Sequence, residues 1–271
     1  MVSLRNGAIG SRLVLSIGQG VKLAVRFVPK GKLRMGCLDG RGQSDEVART
    51  VNLTQDFWMA ETELTQAQWK AIMGTTASEL AVINKVQERE KRGFVQGNDY
   101  PMCFISPKDA SRFISEINRH VSLPDGWRWA LPTEAQWERA CRAGTESAFS
   151  FGEGKMTDNM NCLNWDPWGD AAEHEMRAKA KMCKVARYNA NAYGLFDMHG
   201  NVFELCKDHY APYHAKNTTD PQETASGEPQ VLRGGCFGLT GESCTSSARS
   251  QTLSQSDADD STGLRIVIVS Q

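Results

Sequence analysis

Between Gly235 and Gly263 the chain is framed like a core segment and filled like a surface one. VLRGG at 231–235 opens it as a strand, and the alternating apolar run Leu264, Ile266 and Ile268 closes it. Between them nearly every residue is small or polar. Residues 236–262 contain no Lys, Met, Trp, Asn, His or Pro, although the preceding chain uses all six. A stretch held between core strands but lacking core residues of its own must lie on the surface, where its side chains are free to meet a partner. A plain pair of polar loops would have a similar composition, so the rest of the chain has to decide.

A length of 271 residues is compatible with one large domain, and a single domain over 1–271 is expected. Hydrophobic residues make up 40% and charged residues 23%, which describes a globular chain. A net charge of −1 provides no broad basic field, so nucleic acid is not an expected partner. No apolar run approaches the roughly 18 residues of a membrane span. The eight cysteines, Cys37, Cys103, Cys141, Cys162, Cys183, Cys206, Cys236 and Cys244, show no CxxC pair, which argues against a zinc knuckle. Buried thiols are expected, with disulfides left open. The first residues lack the basic and apolar regions of a leader, so a cytoplasmic location and a leader removed beforehand both stay open.

Leu13–Ile17 and the alternation of Val21, Leu23, Val25 and Phe27 predict a hairpin around Gly18 and Gly20. Thr65 with Gln68 and Thr133 with Gln136 have capping-box spacing, and Ser106 before Pro107 marks a third helix start. The third helix carries Ala110, Phe113, Ile114 and Ile117 on one stripe, whereas Trp69, Ile72 and Met73, and Trp137, Ala140 and Cys141, mark the buried faces of the other two. Residues 144–191 show neither period. Isolated aromatics there, such as Phe149, Phe151, Trp165 and Trp168, are expected to pin irregular chain.

LRMG at 33–36, ETELTQAQW at 61–69, LPTEAQWERACRAGT at 131–145, NAYGLFDMHGNVFEL at 191–205, VLRGG at 231–235 and GLR at 263–265 occur in order. Together they resemble the formylglycine-generating-enzyme (sulfatase-modifying factor) superfamily, with residues 1–24 outside the clearest match. The resemblance implies an α+β fold, a C-type-lectin fold elaborated with much irregular structure. Fold alone does not give function, because that superfamily holds both enzymes and binders.

In the oxidising enzymes two cysteines with four residues between them bind copper shortly after the Gly-Gly pair. Here Leu239 takes the first position and Cys244 the second, with Cys236 nearby, and one thiolate cannot reproduce a two-thiolate site. Nor do the five histidines, His120, His174, His199, His209 and His214, form the iron-binding set of a second enzymatic branch; His199 reads as structural. The remaining branch is that of variable proteins diversified by retroelements, in which template adenines are mutagenised. RGGCF, Cys244, Arg249 and GLR follow that framework with nearly matching lengths. Randomising both adenines of an Asn codon never yields Lys, Met, Trp, Gln or Glu, so Glu242, Gln251 and Gln255 would be fixed positions within 236–262.

The resemblance thus implies a non-enzymatic ligand-binding protein with a variable region at 233–265 and varied, chiefly protein, ligands. Its alternative is a formylglycine-generating-type oxidoreductase acting on a cysteine-containing peptide. Arg233, Gly234, Gly235, Arg249, Gly263 and Arg265 would be fixed. Phe237, Gly238, Leu239, Thr240, Ser243, Ser250, Thr252, Leu253, Ser256, Asp257, Asp259 and Asp260 would touch ligand, with Phe237 and Leu239 as apolar anchors. The resemblance also implies display at the cell surface. No cofactor is required, but Asp197, Gly200, Val202 and Glu204 match a calcium site of the enzymes, and oxygen donors on a Gly-containing turn suit a hard cation. The competing arrangement pairs Glu204 with a nearby arginine and uses Asp197 to cap a turn. Oligomeric state is not readable.

Overall fold

The computed structural model describes residue 4 and residues 7–40, 42–152, 156–163, 180–213, 218–224 and 229–271. Trp165, Trp168, His174 and His214 lie outside the described residues. The opening alternation folds as it predicts: β1 (Arg12–Gly18) and β2 (Val21–Val28) form an antiparallel hairpin. β3 (Gly31–Met35) pairs with β4 (Arg49–Leu53), and β5 (Phe57–Ala60) returns to β2.

Three helices come next: α1 (Gln66–Met73), α2 (Ala77–Ile83) and α3 (Pro107–His120). β6 (Trp127–Ala130) then leads into α4 (Glu134–Arg142). The capping boxes of Thr65 and Thr133 form as expected, and Ser106 caps α3 together with Asp109. The sequence reading does not predict α2, although Thr76 and Glu79 make the same box. Its last residues, Val82 and Ile83, are exposed, so the helix shows no clean apolar stripe.

The chain continues through the short α5 (Met156–Asn159), β7 (Phe203–His209), β8 (Thr218–Thr219), β9 (Gln230–Arg233), β10 (Arg249–Gln251), β11 (Thr262–Gly263) and β12 (Val267–Ser270). The strands make a five-stranded sheet in the order β1-β2-β5-β12-β6, a four-stranded sheet β10-β9-β7-β11 and a three-stranded sheet β3-β4-β8. The five-stranded sheet divides two cores. Leu23, Val25, Phe27, Trp58, Trp129 and Ile268 pack with α1, α2 and α3, whereas Phe57, Met59, Ala130 and Val267 pack with Trp137 and Ala140 of α4. Burial on both faces is why β5 and β12 read as unbroken apolar runs. Full burial of a side chain such as Phe113, stacked on Trp69 at 5.3 Å, contributes about 2–3 kcal/mol.

Helix α4 links this framework to the C-terminal segment, because its start fixes the direction of two acidic side chains, Glu134 and Glu138. Thr133→Ala removes the acceptor for the Gln136 N–H and is expected to cost about 1 kcal/mol in denaturant titration.

Candidate functional site

The segment after β9 is held from inside by arginines. Arg233 is fully buried: Nη2 pairs with Glu138 of α4 and donates to the Ser246 carbonyl at 2.9 Å, while Nη1 donates to the Ser247 carbonyl at 2.6 Å. Arg249 reaches the other acid of α4, with Nε 2.6 Å from Glu134 Oε1 and Nη2 3.0 Å from Oε2, and its guanidinium stacks 3.9 Å from the Tyr213 ring centroid. Glu134 and Glu138 are one turn apart, so they share a helix face and hold both arginines. Arg265 closes the set, with Nη2 2.7 Å from Glu204 Oε1 and donors to the Ala60 and Phe196 carbonyls.

The expected fixed glycines have steric reasons. Gly235 has φ +74°, and a Cβ there would lie 2.4 Å from Cys244 Sγ and 2.8 Å from the Ser243 carbonyl oxygen. At Gly263 a Cβ would meet the Met102 carbonyl oxygen at 2.6 Å.

The expected contact residues divide. Leu239, Ser243 and Ser250 line one cleft, facing Cys37, Glu46, Glu146 and Phe149. Gly238 and Thr240 are half-buried beside them. Leu253 and Ser256 are exposed, and Asp257 Oδ2 accepts from the Leu253 N–H. Asp259 and Asp260 turn towards the body: Asp259 Oδ1 accepts from Ser261, and Asp260 Oδ2 accepts from the Gly93 N–H at 2.6 Å.

Two expectations fail. Phe237 is no exposed anchor; it is 6% exposed and fills space against Gly93, where any Cβ would overlap its ring. Thr252 is 1% exposed, and its Oγ1 accepts from the Gln230 N–H, tying β10 to β9. Glu46, Glu146 and Phe149 escape sequence reasoning as site residues. A charged or aromatic residue in a loop has no periodicity to mark it.

Arg233, Gly235, Gly263 and Arg265 sit on the motifs that carried the resemblance, and residues 22–269 match the Sulfatase-modifying factor enzyme 1-like domain. The chain belongs to that family. Formylglycine-generating enzyme of Streptomyces coelicolor is 35% identical over 273 residues, which cover 87% of this chain and 85% of the enzyme. Against two further curated relatives the chain spans 32% and 39% of their length. Among solved structures, Treponema denticola variable protein 1 aligns with TM-score 0.74 at 20% identity, covering 94% of this chain and 98% of its own. PvdO from Pseudomonas aeruginosa gives 0.74 at 20% identity, covering 98% and 100%. The protein thus has the C-type-lectin-like fold of this family, mixed α/β with irregular regions.

The metals of the enzymes find a poor fit among the residues present. Cys236 and Cys244 are buried free thiols; burial pushes Cys236 up to about 12 and Cys244 well above its ordinary range. With Leu239 in the first ligand position and Cys244 alone in the second, the residues present do not make a two-thiolate copper site. At the expected calcium set, Asp197 keeps one buried oxygen, Oδ1, without a hydrogen-bond partner, and its other oxygen accepts from the Ala186 N–H. Both Glu204 oxygens, however, are taken by Arg265, and Oε2 also accepts from the Trp137 indole at 2.6 Å. Glu204 is thus held by Arg265, as in the competing arrangement, while Asp197 Oδ1 and Glu63 Oε2 are buried without a hydrogen-bond partner among the described residues. Among the described residues no group of three or more His, Cys, Asp or Glu side chains could hold a metal ion. His199 is structural: Nδ1 lies 2.8 Å from the Cys244 carbonyl and Nε2 accepts from the Ser150 N–H at 3.1 Å.

This geometry generates two expected outcomes. Arg249→Ala leaves the buried Glu134 carboxylate with only the more distant Arg233 Nε, 3.6 Å away, and is expected to cost about 3 kcal/mol by denaturant titration. Asp208 lies behind Arg249 in the cleft formed with Tyr213, and burial raises its carboxyl to about 6. The folded value lies above the unfolded one of about 3.9, so between those values the native state binds more protons. Its contribution to stability is present in full below the unfolded value and is lost as pH rises through 6. Asp208→Asn is expected to remove a stability difference on the order of 2–3 kcal/mol between pH 4 and pH 7, read as wild type minus variant.

Proposed function

We propose that this protein binds ligands without transforming them, and that residues 233–265 form a surface diversified by retroelement mutagenesis for varied, chiefly protein, partners. One contrast carries the proposal. Arg233, Arg249 and Arg265 are held by framework carboxylates, whereas Leu253, at 86% exposure, and exposed Ser243 lie at the surface of the same segment. A surface fixed through its backbone and a few arginines can change its outer side chains cheaply. The fold shared with a protein named for its variability supports the same view. No cofactor is needed on this reading, and chelation with EDTA is expected to leave the melting temperature unchanged. Display at the cell surface belongs to the same proposal.

Sequence identity favours a second reading. At 35% identity to a formylglycine-generating enzyme over most of its length, an oxidoreductase acting on a cysteine-containing peptide is the competing function. Copper-dependent conversion of a peptide cysteine to formylglycine, followed by mass spectrometry, would establish that enzyme and remove the binder.

Sequencing the 3′ end of the gene across many cells and relatives tests the binder directly. The expected result is variation confined to adenine-derived codons of residues 236–262, beside a near-copy repeat and a reverse transcriptase; an invariant segment overturns it. Simultaneous replacement of Leu239, Ser243, Ser250 and Leu253 by other small or polar residues is expected to leave the melting temperature nearly unchanged. Exposed substitutions usually stay within about 0.5 kcal/mol each.

A further inference from the structure

The cleft beside Leu239, Ser243 and Ser250 measures ≈ 410 Å³, within the ~300–1,000 Å³ usual for ligand pockets. One wall is the turn between β3 and β4. Its ends are joined by the Cys37 N–H to the Glu46 carbonyl at 2.7 Å, and the Glu46 N–H donates to the Gln43 carbonyl at 3.0 Å. Gly42 closes over this turn, where a Cβ would lie 2.5 Å from Cys37 Cβ and 2.6 Å from Glu46 Oε2. The opposite wall includes Phe149, Leu239 and Ser243.

Among the described residues lining the cleft, acids outnumber cations: Asp39, Glu46, Glu146 and Glu242 against Arg142 and Arg249. Arg142 and Arg249 are already committed, the first to Glu138 at 2.8 Å and the second to Glu134 at 2.6 Å. Glu46 is 5% exposed; Oε1 accepts from the Gln43 N–H at 3.2 Å, but Oε2 is buried without a hydrogen-bond partner among the described residues. Glu242 stands exposed at the rim, and Glu146 meets the exposed Arg34 at 3.7 Å. A buried carboxylate oxygen without a donor is costly, and a cationic donor is the partner that offsets most of that cost.

We propose that this cleft is a socket for a basic side chain, arginine or lysine, of a protein partner, with Glu46 Oε2 as the anchoring acceptor. The aliphatic stem of such a side chain lies against Leu239, and a guanidinium or ammonium finds the Phe149 ring beside its route to Glu46. Glu46 lies outside residues 236–262, and Glu242 is a residue that adenine mutagenesis of an Asn codon does not produce. Both acids therefore stay constant while their neighbours change: the socket gives every variant the same cationic foothold, and the surrounding residues supply selectivity. The proposal rests on the reading of 233–265 as a ligand-binding surface.

The test is an NMR titration of the full chain with Nα-acetyl-arginine amide and Nα-acetyl-lysine amide, using the uncharged Nα-acetyl-norleucine amide as control. The cationic probes are expected to shift the amides of Gly42, Glu46 and Ser243, and the norleucine probe is not. Glu46→Gln is expected to weaken binding at least about tenfold, with a melting temperature no lower than wild type, because Gln keeps the acceptor for Gln43 and removes the unpaired charge. Glu242→Gln weakens binding less. Equal binding of the norleucine probe, no shift with either cation at millimolar concentration, or unchanged affinity in Glu46→Gln overturns the socket. Codon diversity at the 3′ end without cation binding removes the socket alone, whereas cation binding by a chain with an invariant 3′ end removes only the diversified surface.

Discussion

The pairing of Arg233 with Glu138 is the contact on which the C-terminal third of this fold depends. Both side chains are fully buried, and the two Nη groups give their remaining donors to the carbonyls of Ser246, Ser247 and Ala248, while Nε faces Glu134 Oε1 at 3.6 Å. Stripping water from two charges costs several kcal/mol, and their attraction roughly returns it. Net stability is thus a poor reason for such a pair. What it supplies is a unique arrangement: a planar fork of donors that only one path of the loop can satisfy, which a lysine could not reproduce.

That arrangement explains how one segment can be firmly placed and chemically open. Arg233 grips main-chain oxygens, which every residue type carries, so loop position does not depend on which side chains point outwards. Gly235 allows the close approach of Cys244, and Thr252 fixes the next strand through a single hydroxyl. Arg265 works similarly on the other flank, joining Glu204 to the carbonyls of Ala60 and Phe196. There a guanidinium takes the place beside Glu204 where the family resemblance suggested a cation, and it does so with directional donors that also hold two neighbouring chain segments.

Local features of the fold were legible because they are written within a few residues. Hydroxyl-to-amide spacing at Thr65 and Thr133 located α1 and α4, and strict alternation located β2. The fixed arginines were legible through ordered motifs, and Glu204 was legible as an acid that pairs with a nearby arginine, but Glu134 and Glu138 were not named, since Glu134 and Arg249 lie 115 residues apart. Phe237 shows the limit most clearly. In a run of small and polar residues it reads as an exposed aromatic, yet Gly93, far away in the chain, leaves the space that its ring fills. Nothing near either residue signals the other. Glu46 was illegible for the same reason, because an acid before a strand looks like ordinary surface until tertiary packing buries it.

The contrast between Glu46 and the buried acids around the C-terminal segment bears on function. Glu134, Glu138 and Glu204 each face an arginine, and Asp208 accepts two backbone N–H groups. Among the described residues three buried carboxylate oxygens have no hydrogen-bond partner, Glu63 Oε2, Asp197 Oδ1 and Glu46 Oε2, and of these only Glu46 lies at the wall of the cleft beside the C-terminal segment. Unsatisfied polar groups in native proteins call for an explanation, and functional sites are where stability is commonly given up. On the proposed reading, the packing that leaves the outer side chains of 238–250 open to change also holds beside them one framework carboxylate. A binding surface built this way separates two tasks: attraction of a common chemical group by the framework, and discrimination between its bearers by the residues around it.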